Sequence, residues 1–127
     1  SAWPLQLGYI LGAYFGRIIH IVLFVCSRNE LLSPTAEQVF SQFNQMEVLS
    51  AGTNNDAEVP LSRELIVWAD KIICMEQMHK NKIRSKFKSV LKEQKIICLD
   101  IPDEFGYMDP ALTKILMIKV PPLLNLK

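Results

Sequence analysis

Four short apolar runs recur along the chain, and a stretch with helical spacing separates each from the next. The runs are Ile18 to Val25, Glu47 to Ala51, Lys71 to Met75 and Lys95 to Leu99. The first is rich in β-branched residues and is apolar throughout except for His20, as expected of a strand covered on both faces. Between the runs, Pro34 to Phe43 sets Ala36, Val39, Phe40 and Phe43 at helical spacing, with Ser33 and Glu37 near capping positions. Leu61, Leu65, Trp68 and Ala69 mark a second helix face. Gln77 to Glu93 predicts a third helix, with Ile83, Phe87, Val90 and Leu91 inside and Lys80, Lys82, Lys86 and Lys88 mostly outside. Pro110 to Ile118 predicts a last helix, which Pro121-Pro122 stops. Strands alternating with helices in this way predict an α/β three-layer sandwich: a four-stranded parallel sheet, helices on both faces and right-handed crossovers. In such a sheet, ligands bind beyond the carboxyl ends of the strands.

Two regions are expected, an apolar N-terminal extension over 1–17 and the α/β domain over 18–127. Ser1 to Gly16 carry no charge, and Arg17 is the only Lys, Arg, Asp or Glu before Arg28. Gly8, Gly12 and Gly16 recur every fourth residue and would share one helix face. Small residues at that spacing allow close helix packing in membranes, yet a spanning helix needs about 20 apolar residues. Reaching that length would mean crossing Arg17 and His20. The favoured reading is therefore a packed or disordered extension, with self-association or membrane contact as lesser alternatives.

The charge balance, 14 basic against 13 acidic residues, leaves a net charge of +1 and no electrostatic case for nucleic-acid binding. Three cysteines without close spacing make neither a disulfide framework nor a zinc site. Cys74 and Cys98 lie in apolar runs and read as small hydrophobes. A reducing, cytoplasmic setting fits this usage best, and no metal, cofactor or oligomeric state is implied.

Cys26 is different. It ends the first apolar run, a short polar loop comes next, and Ser33-Pro34 opens the following helix. Backbone N–H groups of such a loop converge on anions, and the helix N-terminus adds to the attraction. The same field favours a thiolate. Leu32 is out of character there, since a phosphate-handling loop wants a cation beside Ser33. At the far end of the sheet, Asp100 to Asp109 form an acidic, aromatic loop that leaves the last strand and can face the same crevice as Cys26.

From about Ile21 to Ile118 the chain resembles the low-molecular-weight protein tyrosine phosphatases. The likeness is nearest to a short bacterial branch whose loop reads Cys-Ser-Arg-Asn-x-x-Arg-Ser-Pro-Thr-Ala-Glu. Here the string is Cys26-Ser27-Arg28-Asn29-Glu30-Leu31-Leu32-Ser33-Pro34-Thr35-Ala36-Glu37. Ser50-Ala51-Gly52-Thr53, Trp68-Ala69-Asp70-Lys71-Ile72-Ile73-Cys74-Met75-Glu76 and Leu99-Asp100-Ile101-Pro102-Asp103 come after it in the right order. The resemblance implies phosphomonoester hydrolysis through a cysteine nucleophile, on a phosphate or phosphotyrosine-like ligand held by Ser27, Arg28, Asn29, Glu30, Leu31 and Leu32. Cys26 matches the nucleophile, and a buried inert thiol is the alternative. Asn29 matches the loop asparagine in a left-handed conformation, which asparagine tolerates well. Ser33 matches the hydroxyl that bonds the sulfur, and reads otherwise as a helix N-cap. Asp103 matches the general acid, with Asp100 and Glu104 as alternatives because the usual Asp-Pro order is altered. Phe105 and Tyr107 match a wall for a flat ring, or simple loop packing.

Leu32 departs from the pattern. It occupies the seat of the family's arginine in Cys-x-x-x-x-x-Arg, whose guanidinium grips two phosphoryl oxygens. Such clamps contribute roughly 10³ to 10⁵ in rate. Impaired turnover is the expectation, and a catalytically inactive phosphate- or phosphoprotein-binding pseudophosphatase is the alternative. Compensation by Arg28 is a lesser one.

Overall fold

A computed structural model of the chain describes residues 19–92 and 94–124. The extension over 1–17 lies outside the described residues. Four strands, β1 (His20–Cys26), β2 (Met46–Gly52), β3 (Lys71–Cys74) and β4 (Lys95–Cys98), form one parallel sheet in the order β2-β1-β3-β4. Four helices lie between or after them: α1 (Leu32–Phe40), α2 (Arg63–Trp68), α3 (Gln77–Lys86) and α4 (Pro110–Leu123). The α/β three-layer arrangement is the one the alternating pattern predicts. Among the described residues no helix is long and apolar enough to cross a membrane.

The period-two geometry of β1 divides the core. Val22, Phe24 and Cys26 face one layer, with α1 and α4; Leu23 and Val25 face the other, with α2 and α3. Phe40 of α1 stacks on Phe24 with ring centroids 5.6 Å apart, and Phe43 lies 5.3 Å from Phe40. Burying one such ring stabilises by roughly 1.5 to 3 kcal/mol, so these contacts fix α1 against β1. The sheet grows from β1 to β2 on one side and then to β3 and β4 on the other. Its switch point therefore lies between the carboxyl ends of β1 and β3, where a crevice opens.

Several details differ from those the sequence predicts: the first helix spans Leu32–Phe40 rather than Pro34 to Phe43, so Phe43 lies beyond its end. The third helix stops at Lys86 rather than Glu93, and Phe87 to Leu91 turn back with Val90 and Leu91 N–H groups donating to the Phe87 carbonyl. A straight 77–93 helix would be about 25 Å long, against about 13 Å for a four-residue strand. The turn keeps Phe87 and Val90 buried over β3 and β4. The last helix runs to Leu123 with both prolines inside it. Proline's φ suits a helix, and the pair sits in the final turn, so it ends the helix from within. Ser33 does not cap α1: Leu31 is the N-cap residue and no side chain caps the helix.

Candidate functional site

The crevice at the switch point is lined by Cys26, Ser27 and Leu32 from the loop and start of α1, by Glu76 and His79 from the end of β3 and α3, and by Asp103. The loop after Cys26 is bound from outside by the chain after β2. Thr53, Asn54 and Glu58 N–H groups donate to the carbonyls of Cys26, Ser27 and Arg28, at 2.9, 2.9 and 3.0 Å. Gly52 makes this approach possible. A Cβ there would stand 2.5 Å from the Ser27 carbonyl oxygen and 2.6 Å from the Ala57 Cβ.

With these three carbonyls engaged from outside, the loop's N–H groups are left to serve the other side. Asn29 has φ 56, the left-handed conformation, and its N–H donates to Cys26 Sγ at 3.2 Å. Among the described residues, the N–H groups of Arg28, Glu30 and Leu31 have no protein acceptor. Cys26 is 6 % exposed, and its sulfur also lies 2.9 Å from Ser33 Oγ. The Ser33 hydroxyl thus faces the sulfur, with the Ala51 carbonyl as an acceptor 3.4 Å away, rather than the helix end.

A buried relay holds this pair. Asn29 Nδ2 donates to Ser33 Oγ at 3.0 Å and to Ser50 Oγ at 2.9 Å, and the Ser50 hydroxyl donates to Glu37. Buried polar groups are costly unless satisfied, and here each link satisfies the next. Asn29 thereby places both its backbone and its side chain in the service of the sulfur. Sequence reasoning gave Ser50 no role and read Glu37 as a capping residue. Their pairing depends on β2 lying beside α1, which spacing along the chain does not reveal.

Asp103 reaches the crevice because its loop is pinned at both ends. The Ile101 N–H donates to the Met75 carbonyl at 2.8 Å, and the Met108 N–H to Thr35 Oγ1 at 2.8 Å. Asp109 then caps α4 through the Ala111 N–H at 2.8 Å. Of the three acids considered for one role, Asp103 lines the crevice. Asp100 instead accepts from the Cys98 thiol at 3.3 Å, and Glu104 does not line the crevice. Phe105 packs against the core, while Tyr107 is 53 % exposed.

Leu32 is 1 % exposed and belongs to the core under the loop. Arg28 lines the mouth, but its Nε donates to Glu30 at 2.7 Å on the surface. Among the described residues no unpaired cation lines the crevice. His79, which sequence reasoning did not single out, is 1 % exposed there. Burial and then Lys82 push its ring down to about 4 against the opposing pull of Asp103, so it is neutral at neutral pH.

No family model and no curated protein matches the sequence. Solved structures do match. The chain is similar to the arginine phosphatase YwlE from Geobacillus stearothermophilus, with 24 % identity and a TM-score of 0.67 over 84 % of this chain and 94 % of that one. A YwlE mutant from Bacillus subtilis gives 23 % identity and a TM-score of 0.65, over 84 % and 99 % of the two chains. A low molecular weight protein tyrosine phosphatase from Streptococcus pyogenes gives 17 % identity and a TM-score of 0.68, over 84 % and 92 %. The chain has the fold of the low-molecular-weight protein tyrosine phosphatases, as the motif blocks imply.

Proposed function

We propose that the Cys26 loop binds a phosphoryl group, and that the chain is a phosphatase-like protein of the low-molecular-weight tyrosine type whose turnover is reduced by Leu32. The observation that carries this reading is the sulfur itself. Cys26 Sγ has Asn29 N–H at 3.2 Å and Ser33 Oγ at 2.9 Å, in a loop whose Arg28, Glu30 and Leu31 N–H groups have no protein acceptor among the described residues. A cysteine so placed attacks phosphorus, and the substrate oxygen leaves as the S–P bond forms. Asp103, which lines the same crevice, gives that oxygen its proton. Water then attacks the phosphocysteine, the thiolate departs, and Asp103 takes the proton back. Ser33 and the Asn29 N–H steady the sulfur in both steps.

What the site lacks is a charge that tightens on the transition state. Leu32 has no donor, and the Arg28 side chain pairs through Nε with Glu30 on the surface. That combination favours, as a second reading, a module that holds a phosphorylated ligand without turning it over.

The test uses tungstate binding and hydrolysis of a small aryl phosphate by the full chain. We expect tungstate to bind and turnover to be weak, with the residual hydrolysis lost in Cys26→Ser. Tungstate binding without any Cys26-dependent hydrolysis selects the second reading. A chain that neither binds tungstate nor hydrolyses the ester refutes both.

A further inference from the structure

Ser27 and His79 lie 52 positions apart in the chain, yet Ser27 Oγ and His79 Nε2 are 2.9 Å apart at the crevice. The other ring nitrogen settles the direction of that bond. His79 Nδ1 lies 3.0 Å from the Glu76 backbone nitrogen, whose N–H can only donate. Nδ1 is therefore the acceptor and carries no proton, so the proton of the neutral ring is on Nε2. The ring must then donate to Ser27, filling one acceptor position of the hydroxyl. The Ser27 proton is left over, and among the described residues it has no protein acceptor. Ser27 is half-buried and lines the crevice beside Cys26.

We propose that His79 is a positioning residue that turns the Ser27 hydroxyl so that its proton points into the crevice and donates to an oxygen of a bound oxyanion. This rests on the phosphoryl-binding reading above and adds the group that serves the anion where Leu32 does not. The donor is neutral, so it steadies a ligand without the pull of a guanidinium. The arrangement also depends on a neutral ring. A proton on Nδ1 would face the Glu76 N–H, which agrees with the low proton affinity that burial gives this histidine.

The test is tungstate affinity by calorimetry in the full chain, together with nitrogen NMR of the His79 ring. One hydrogen bond to a charged group corresponds to about tenfold to a hundredfold in affinity, and Ser27→Ala is expected to lose that much. His79→Phe is expected to lose a similar amount and the double variant no more than either, because both remove the same donor. His79→Gln, whose amide accepts from Glu76 and donates to Ser27, is expected to recover most of the loss. The ring is expected to show the proton on Nε2 and a bare Nδ1 near pH 7. Wild-type affinity in Ser27→Ala, losses that add in the double variant, or a protonated Nδ1 would each overturn the proposal. If His79→Phe fails to fold, the Ser27→Ala affinity and the ring spectrum decide. A wild type that does not bind tungstate refutes the phosphoryl-binding reading itself, whereas wild-type binding indifferent to Ser27 refutes only this inference.

Discussion

Three of the four strands end in cysteine, and two of them, β3 and β4, share the sequence Lys-Ile-Ile-Cys and pair in register, Lys71 to Lys95 and Cys74 to Cys98. Only the end of β1 is a candidate for chemistry. Cys74 is fully buried; its thiol donates to the Ile97 carbonyl at 3.5 Å, and burial pushes it up to about 12. Cys98, on the edge strand, is more exposed, yet burial still raises it, and its thiol donates to Asp100. Both have acceptors nearby, which suit a thiol. Cys26 instead meets a donor, the Asn29 N–H at 3.2 Å, and lies 2.9 Å from the Ser33 hydroxyl. The strand end is the same in all three cases. The difference lies in the segment after Cys26, a loop with its carbonyls tied outward by Thr53, Asn54 and Glu58.

If the loop is the difference, giving it back a cation should have the largest effect. Leu32→Arg is expected to raise hydrolysis of an aryl phosphate by roughly 10³ to 10⁵. Leu32 is also core, so the variant should melt below the wild type while gaining activity. A folded Leu32→Arg chain that binds tungstate and remains inactive would show that the loop lacks more than charge.

Thiol labelling sharpens the same contrast over a smaller range. At pH 8, Cys74 should expose about a thousandfold less thiolate than an ordinary cysteine, given its shift from 9.0 to about 12. Iodoacetamide should therefore modify Cys26 and spare Cys74 in the native chain, with tungstate protecting Cys26. Mass spectrometry of the labelled chain reads both. Labelling of Cys74 ahead of Cys26 would reverse the comparison.

The sequence carried the fold well because its signals were local. The apolar runs ended near the observed strands, and the helical spacing of Ala36, Val39 and Phe40 matched the face α1 buries. It was less informative where partners are distant in the chain. Phe87, Val90 and Leu91 keep helical spacing and so extend the expected third helix past its observed end, whereas their turn packs them on the sheet, a contact distant in the chain. Pro121-Pro122 read as a stop because a proline removes a hydrogen bond, but the last turn of a helix tolerates that loss. Ser33 read as a cap because nothing nearby in sequence says that its hydroxyl faces a sulfur seven residues back. No sequence pattern singled out His79. Its contact with Ser27 exists only because β1 and β3 are neighbours.

That neighbour contact makes the end of β3 contribute to the site without using its cysteine, and it has the smallest of these expected effects. His79 falls from 6.5 to about 4 on folding, chiefly through burial and then through Lys82. Between those values the unfolded chain binds a proton that the folded one refuses, so this residue makes stability fall as pH drops from about 6.5 to about 4. Above pH 6.5 both states are neutral and the contribution is constant. Urea midpoints measured across that window should decline on acidification in the wild type. The part of the decline due to this ring should vanish in His79→Gln, which has no proton to gain, while that of the carboxylates persists. A wild type and a His79→Gln chain with parallel profiles would mean that the ring titrates freely. The end of β3 would then be no more tightly built into the site than the end of β4.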